Sequence, residues 1–352
     1  MSASFLITGN LGYVGSVLVP WLRARFPHAK LIGYDTGWFA SAHTSSGRMP
    51  ETLLDQQIYG DVRALTAAHL RGVDCVIHLA AVSNDPIGHQ FEAATAAINC
   101  DATTALATLA ADSGVTHFVF ASSCSVYGAS SEGEIPEEGE LNPLSAYAKS
   151  KVAAERQIAP LARHDFRVTA LRFGTACGFS PRLRLDLVVN DFVAGAVASG
   201  ALSLLSAGTA WRPLIHVKDM ARAIEWAGTR SGDPYVVVNV GSRPMMLKIV
   251  DLARLVAERT GETQLLMPDK PAIDGRTYKV DFSRFARLAP DHQPQWTIEE
   301  TIDDLTANLR ALDFRDPAYR EGGLIRLNAL RRFMAAGALS NDLYWTDPRP
   351  HV

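Results

Sequence analysis

The sequence predicts an α/β protein built on a doubly wound parallel sheet, with a smaller C-terminal α/β domain. Three observations predict it. Short apolar runs recur through the first half of the chain, a glycine-rich turn follows the first of them, and a hydroxyl, a phenol and an amine follow the fifth at fixed spacings. Phe5-Leu6-Ile7-Thr8 is short and apolar, as a strand buried on both faces must be. It runs into Gly9-Asn10-Leu11-Gly12-Tyr13-Val14-Gly15, and an amphipathic stretch through Val17, Leu18, Trp21 and Leu22 follows. Strand, glycine turn and helix form the context that a dinucleotide site requires. Glycine permits a tight turn and lets a pyrophosphate approach the backbone, resting on the N-terminal amides of the helix. The spacing is GxxGxxG rather than GxGxxG.

The next run, Lys30-Leu31-Ile32-Gly33-Tyr34-Asp35, ends in an acid 20 residues after Gly15. A carboxylate there can accept hydrogen bonds from the hydroxyls of an adenosine ribose. No Arg follows directly, since Thr36-Gly37-Trp38 does, so a 2′-phosphate would meet negative charge without a partner. This favours NAD over NADP. A third strand, Gln57-Ile58-Tyr59-Gly60, leads to Asp61 and Val62, placed to border the adenine. A fourth, Asp74-Cys75-Val76-Ile77-His78, ends in Leu79, Ala80 and Ala81, whose small side chains let a cofactor come close. A helix over 92–114 carries Asn99.

The fifth strand, His117-Phe118-Val119-Phe120-Ala121, leads into Ser122-Ser123-Cys124-Ser125. An acidic loop from Glu132 to Glu140 comes next, and then a helix beginning at Asn142 or Ser145. On that helix Tyr147 and Lys151 are four residues apart and share a face. A tyrosine with a pKa near 10 is a poor base at neutral pH, and a nearby cation lowers that value. Lowering it by ~3 units requires about 4 kcal/mol of differential stabilisation. Lys151 and the positive nicotinamide ring of NAD would share that task, while Ser123 holds the substrate oxygen. YxxxK alone occurs on many surfaces; after a strand-end Ser and a glycine turn it points to alcohol–ketone chemistry.

Thr8-Gly-x-x-Gly-x-x-Gly15, Asp61-Val62, His78-Leu79-Ala80-Ala81, Asn99, Ser122-Ser123, Val126-Tyr127-Gly128 and Tyr147-x-x-x-Lys151 together resemble the extended short-chain dehydrogenase/reductases. Within them the chain is similar to the nucleotide-sugar epimerase and dehydratase branch. Leu171-Arg172-Phe173, Asn190, Arg212-Pro213-Leu214-Ile215-His216 and Asn239-Val240-Gly241-Ser242 extend the resemblance over roughly residues 4–310. It implies a Rossmann-type NAD domain, a smaller domain for a nucleotide-diphosphate sugar, and transient oxidation of a sugar hydroxyl. It also implies catalytic roles for Ser123, Tyr147, Lys151 and Asn99, and a homodimer paired through the helices of Asn99 and Tyr147. The alanines at 93, 94, 96, 97, 105 and 107 would permit close helix approach there.

The chain also departs from this pattern. Dehydratases of this branch carry Asp-Glu where Cys124 and Ser125 stand, so 4,6-dehydration is not expected. Thr175 replaces an Asn, and Ser83 a Lys, of UDP-galactose-type epimerases, so sugar contacts differ. Arg182 and Arg184, in a basic loop, are candidates for the substrate diphosphate, since guanidinium forks suit it. Arg212 aligns with a family phosphate contact, and Arg276 is a further candidate. The expected activity is epimerisation at C4; a nucleotide-ketosugar reductase and a non-catalytic regulator are the alternatives.

The 352 residues carry a net charge of −3, which gives no basis for nucleic-acid binding. Four cysteines show neither metal spacing nor a disulfide framework, and no metal is expected. No basic segment followed by an apolar one opens the chain, and no long apolar run spans a membrane, so a reducing cytoplasm is the simplest compartment. Residues 1–177 with about 215–243 are expected to form the NAD domain. Residues 178–214 with 244–315 would form the nucleotide-sugar domain, and 316–352 a helical extension. In that extension Leu327, Leu330 and Met334 recur at helical spacing, which points to packing.

Overall fold

The structure, a computed structural model, describes residues 3–44, 47–129, 133–261, 263–269 and 275–346. Glu132 of the acidic loop and the last six residues of the extension lie outside the described residues. The chain begins with β1 (Ser4–Thr8), α1 (Gly15–Arg25), β2 (Lys30–Asp35), β3 (Gln56–Tyr59) and β4 (Cys75–His78). Helices α2 (Asp85–Gln90), α3 (Glu92–Ala96) and α4 (Ala102–Asp112) precede β5 (His117–Ser123), β6 (Glu134–Ile135), α5 (Ala146–Ile158), β7 (Arg167–Phe173) and β8 (Thr175–Cys177). Next come α6 (Val188–Ser199), β9 (Ala201–Ser203), β10 (Trp211–His216), α7 (Val217–Thr229), β11 (Tyr235–Val240) and β12 (Met246–Lys248). The chain continues through α8 (Ile249–Thr260), β13 (Gln264–Leu266), β14 (Lys279–Val280), α9 (Ser283–Leu288), α10 (Ile298–Ala311) and α11 (Arg326–Ala335).

Seven parallel strands form the main sheet in the order β11-β7-β5-β4-β1-β2-β3. The order reverses between β1 and β4, and the carboxyl ends of strands at such a switch point form a ligand crevice. The glycine turn after β1 and Leu79-Ala80-Ala81 after β4 flank it. They also touch each other: Gly9 has φ +74, and a Cβ on it would lie 2.7 Å from the Ala80 nitrogen. Most strand bounds agree with the sequence reading. Among the described residues the connections β2–β3 and β3–β4 carry 3₁₀ turns rather than α-helices.

Apolar side chains cover both faces of the sheet. Leu6, Val76 and Phe118 pack under α4 and α5 on one face, and Ile7, Ile77 and Val119 pack under α1 and α7 on the other. A further core, including Leu183, Phe192, Leu252 and Ile302, joins α6, α8 and α10 beside a small sheet ordered β12-β10-β8. Leu330 of the extension is buried against the main sheet's core, with Leu327 and Met334 partly buried beside it.

The helix expected over 92–114 is interrupted by a π turn at Ala97–Asp101, and Asn99 sits in that turn. Ser145 rather than Asn142 opens α5: its hydroxyl accepts from the Ala148 amide at 3.2 Å. Gly128 holds the approach to it, with φ +63 and a virtual Cβ 1.7 Å from the Asn142 oxygen, so no side chain fits there.

Candidate active site

A cleft of ≈ 960 Å³ opens at the carboxyl ends of β1, β2, β4 and β5 and extends beneath β10. Its volume stands at the upper end of ordinary ligand sites. Ser123 ends β5, and Tyr147 and Lys151 face it from the first two turns of α5. All three line the cleft.

The electrostatics differ from the expectation that Lys151 lowers the phenol. Burial pushes Tyr147 up to about 12, opposed by a hydrogen bond with Ser123 and by the charge of Arg184. Lys151 is itself desolvated and pulled down to about 7, with the Glu155 charge opposing. Its Nζ donates to the Ala121 carbonyl at 2.8 Å and lies 5.7 Å from the Tyr147 ring centroid. The amine is therefore held at the strand end rather than on the phenol oxygen. The phenol needs further positive charge nearby before it can act as a base at neutral pH.

Asn99 does not line the cleft. It is fully buried; its Oδ1 accepts from the Val82 amide, and its Nδ2 donates to the Val82 carbonyl, both at 2.8 Å. It also donates to Ser150 Oγ at 3.1 Å, and Ser150 donates to the Tyr147 carbonyl at 2.7 Å. Asn99 thus ties the segment after β4 to α5, which makes it a positioning residue.

On the dinucleotide side, Gly9, Gly12, Tyr13, Val14 and Gly15 line the cleft. Asn10 and Leu11 do not: Asn10 donates to Gln57 at 2.6 Å, and the Leu11 side chain is buried. The Leu11 amide donates to Asp35 at 3.0 Å, and the Gly37 amide donates to its other oxygen at 2.8 Å. Burial raises the Asp35 carboxyl, and these two amides and the charges of Arg182 and Arg326 oppose that rise. The sequence reading found no cation near Asp35; the structure brings two from far along the chain. Asp61, Val62, Leu79, Ala80 and Ala81 also line the cleft.

Of the candidates for the second ligand, Ser83, Ser125, Thr175, Arg184, Arg212 and Arg276 line the cleft, and Cys124, Arg182 and Asn190 do not. Cys124 points into a small core with Val126 and Tyr278, and burial pushes its thiol well up. Arg182 is fully buried; it pairs with Glu51 at 2.8 Å and donates to Ser16 Oγ at 3.1 Å. Asn190 accepts from the Gly178 amide and donates to the Arg184 carbonyl, which shapes the loop from behind. Arg184 pairs with Asp186 at 2.9 Å and donates to Ser83 Oγ at 2.9 Å, which brings its guanidinium to Ser83 at the cleft wall. Arg212 donates to the Trp211 and Arg276 carbonyls, and Arg276 pairs with Asp85.

Sequence reasoning missed the scaffold behind the site. Glu155 of α5 accepts from Ser122 and holds Arg172 of β7 through both carboxylate oxygens. Arg172 also donates to Tyr127 Oη and the Glu137 carbonyl, both at 2.9 Å. Glu155, one turn after Lys151, and Arg172 of the Leu-Arg-Phe motif were visible in the sequence, but their pairing needs the fold. Arg326 was missed as well, because its segment lies outside the family resemblance.

A turn that brings backbone to a diphosphate, an acid at the β2 end and a Ser-Tyr-Lys set at one cleft define a dinucleotide-dependent enzyme site on a doubly wound sheet. The comparisons agree. The NAD dependent epimerase/dehydratase family model matches residues 5–241, and the chain belongs to that family. The uncharacterized UDP-glucose epimerase YtcB of Bacillus subtilis is 27% identical over 321 residues, covering 87% of this chain and 98% of the relative. Human dTDP-D-glucose 4,6-dehydratase is 24% identical over 318 residues, covering 85% of this chain and 88% of the relative. MoeE5, solved with UDP-glucuronic acid and NAD, superposes with a TM-score of 0.75 at 27% identity and covers 88% of this chain and 99% of its own.

NAD is the cofactor of the family, and the residues present fit it. Glycines of the turn, Asp35, Tyr147 and Lys151 line one cleft; a bound NAD would have its diphosphate at the glycine turn, its adenosine ribose at Asp35 and its nicotinamide at Tyr147 and Lys151. Among the described residues no helix is long and apolar enough to cross a membrane, and no His, Cys, Asp and Glu cluster is suited to a metal ion.

Proposed function

We propose that the chain is an NAD-dependent epimerase of a nucleotide-diphosphate sugar, acting at C4 through a transient keto sugar. The observation that carries this reading is the half-buried Tyr147 phenol, which lines the cleft with Ser123 and shares a helix face with Lys151. NAD, when bound, supplies the hydride acceptor and a positively charged ring. The Ser123 hydroxyl orients the sugar oxygen. Tyr147 takes the hydroxyl proton as the carbon becomes a ketone and returns it after the sugar has turned over. Lys151, anchored on the Ala121 carbonyl, holds the cofactor ribose.

Elimination of water is disfavoured because the two places beside Ser123 hold Cys124, which is inaccessible, and Ser125, whose hydroxyl is no acid at neutral pH. Incubating the holoenzyme with UDP- and dTDP-sugars separates the readings. An epimerase leaves the nucleotide-sugar mass unchanged and alters its retention; a dehydratase yields a product lighter by one water. A reductase consumes added NAD(P)H.

Fixing the diphosphate rather than the sugar lets the keto intermediate turn. Arg212 lies in the cleft wall on β10, 8% exposed, and suits that role. Charge-assisted hydrogen bonds contribute ~1.5–3 kcal/mol each, so Arg212→Ala is expected to lower kcat/KM about tenfold or more, mainly through KM. NAD content should stay intact. An unchanged KM for every sugar that turns over removes Arg212 from the site.

A homodimer paired through α3, α4 and α5 is part of the proposal. Ala93, Ala96 and Ala105 are exposed on these helices, whereas Ala94 and Ala107 pack in the chain's own core. Sedimentation at micromolar concentration should give a dimer; a monomer refutes this pairing.

A further inference from the structure

The extension lies beyond residues 5–241 that the family model matches. It binds the ends of the strands on the adenosine side of the cleft. Trp345 Nε1 donates to the Thr36 carbonyl, next to Asp35, at 2.9 Å. Arg63, paired with Asp61, donates to the Asp342 and Leu343 carbonyls at 2.7 and 3.1 Å. Leu339 and Leu343 are buried in the main core. These contacts fix the extension in place.

Arg326, the first residue of α11, thereby enters the cleft. It is 2% exposed and lines the cleft together with Gly12 and Asp35. Its Nη2 donates to the Arg182 carbonyl at 2.9 Å, and its Cζ lies 4.4 Å from the Phe39 ring centroid. Its Nη1 has no hydrogen-bond partner among the described residues. The neighbouring charges are already engaged: Arg182 with Glu51, Arg184 with Asp186, and Asp35 with the two amides. Burial pulls the Arg326 guanidinium down to about 9, with Arg184 and Arg182 adding to that fall.

An unpaired guanidinium in a low-dielectric site is costly unless an anion completes it. Arg326 bonds the Arg182 carbonyl, the Arg182 guanidinium bonds Ser16 in the first turn of α1, and Arg326 lines the same cleft as Gly12 and Gly15, where the helix end is prepared for phosphate. The geometry points to Arg326 as a ligand of the cofactor's diphosphate, brought to the glycine turn by the C-terminal extension. This rests on the chain's holding NAD, not on the choice of epimerase. A guanidinium fork matches phosphate oxygens in a bidentate way.

The test uses the full chain stripped of dinucleotide, titrated with ADP-ribose, NAD, NADP and adenosine. Arg326→Met, which keeps an apolar stem on Phe39, is expected to bind ADP-ribose and NAD about 10–100-fold more weakly and adenosine equally well. Its unliganded form should melt no lower than wild type, because an unpaired buried charge has gone, while the upward shift produced by a fixed NAD concentration shrinks. Unchanged ADP-ribose affinity overturns the proposal. So does a loss confined to NADP, which would assign Arg326 to a 2′-phosphate, and so does a lower melting point with an undiminished NAD shift. Arg326→Lys keeps the cation without the fork and serves if the Met variant does not fold. It should bind ADP-ribose more weakly than wild type, and wild-type affinity in it also overturns the proposal.

Discussion

Tyr147→Phe is expected to lower turnover by about 10²–10⁴-fold, the usual contribution of a general acid–base group, while NAD stays bound. The change removes one oxygen from a side chain that packs on Ser123 and α5, so the fold and the dinucleotide cradle have no reason to change. The phenol lines the cleft with Ser123, where it can carry a proton to and from a sugar hydroxyl. Turnover measured beside the NAD content of the purified variant checks it. Near-normal turnover would remove Tyr147 from the chemistry, whichever nucleotide sugar is the substrate.

Glu155→Ala should cost about 3–5 kcal/mol of stability, because it strands the Arg172 guanidinium in the core. Both side chains are 5% exposed and 2.6 Å apart. Through Ser122 and Arg172 the network ties β5, which carries Ser123, and α5, which carries Tyr147 and Lys151, to β7. Glu155→Gln retains acceptor and donor capacity and should cost less. Urea unfolding of the two variants checks the order. An Ala variant as stable as wild type would show that the network contributes little.

The strands, the glycine turn and the Tyr147–Lys151 pair were legible because each depends on a short window: an apolar run, a fixed glycine spacing, or a helical interval of four. What depends on distant chain was not. Cys124 follows Ser123 directly, yet β5 ends at Ser123 and the 3₁₀ turn over Cys124–Tyr127 buries Cys124 in the core while Ser125 lines the cleft. Asn99 looked catalytic from its motif; the π turn instead directs it onto Val82 and Ser150. Arg182 carried the right charge for a diphosphate, but Glu51, 131 residues earlier, claims it. The cations near Asp35 could not be found from the residues that follow it, since Arg182 comes from a loop and Arg326 from the start of α11, far along the chain. The pKa directions of Tyr147 and Lys151 likewise depend on how deeply α5 is buried, which no local pattern gives.

The proposed reaction turns on one step, removal and return of the same hydride within a single active site. The most direct measurement is epimerisation of the accepted nucleotide sugar in deuterated water, read by mass and by the position of label in the product. The account predicts inverted product with no deuterium on carbon and no net reduction of NAD. Deuterium on a product carbon, or a product that forms only while added NAD(P)H is consumed, would contradict it.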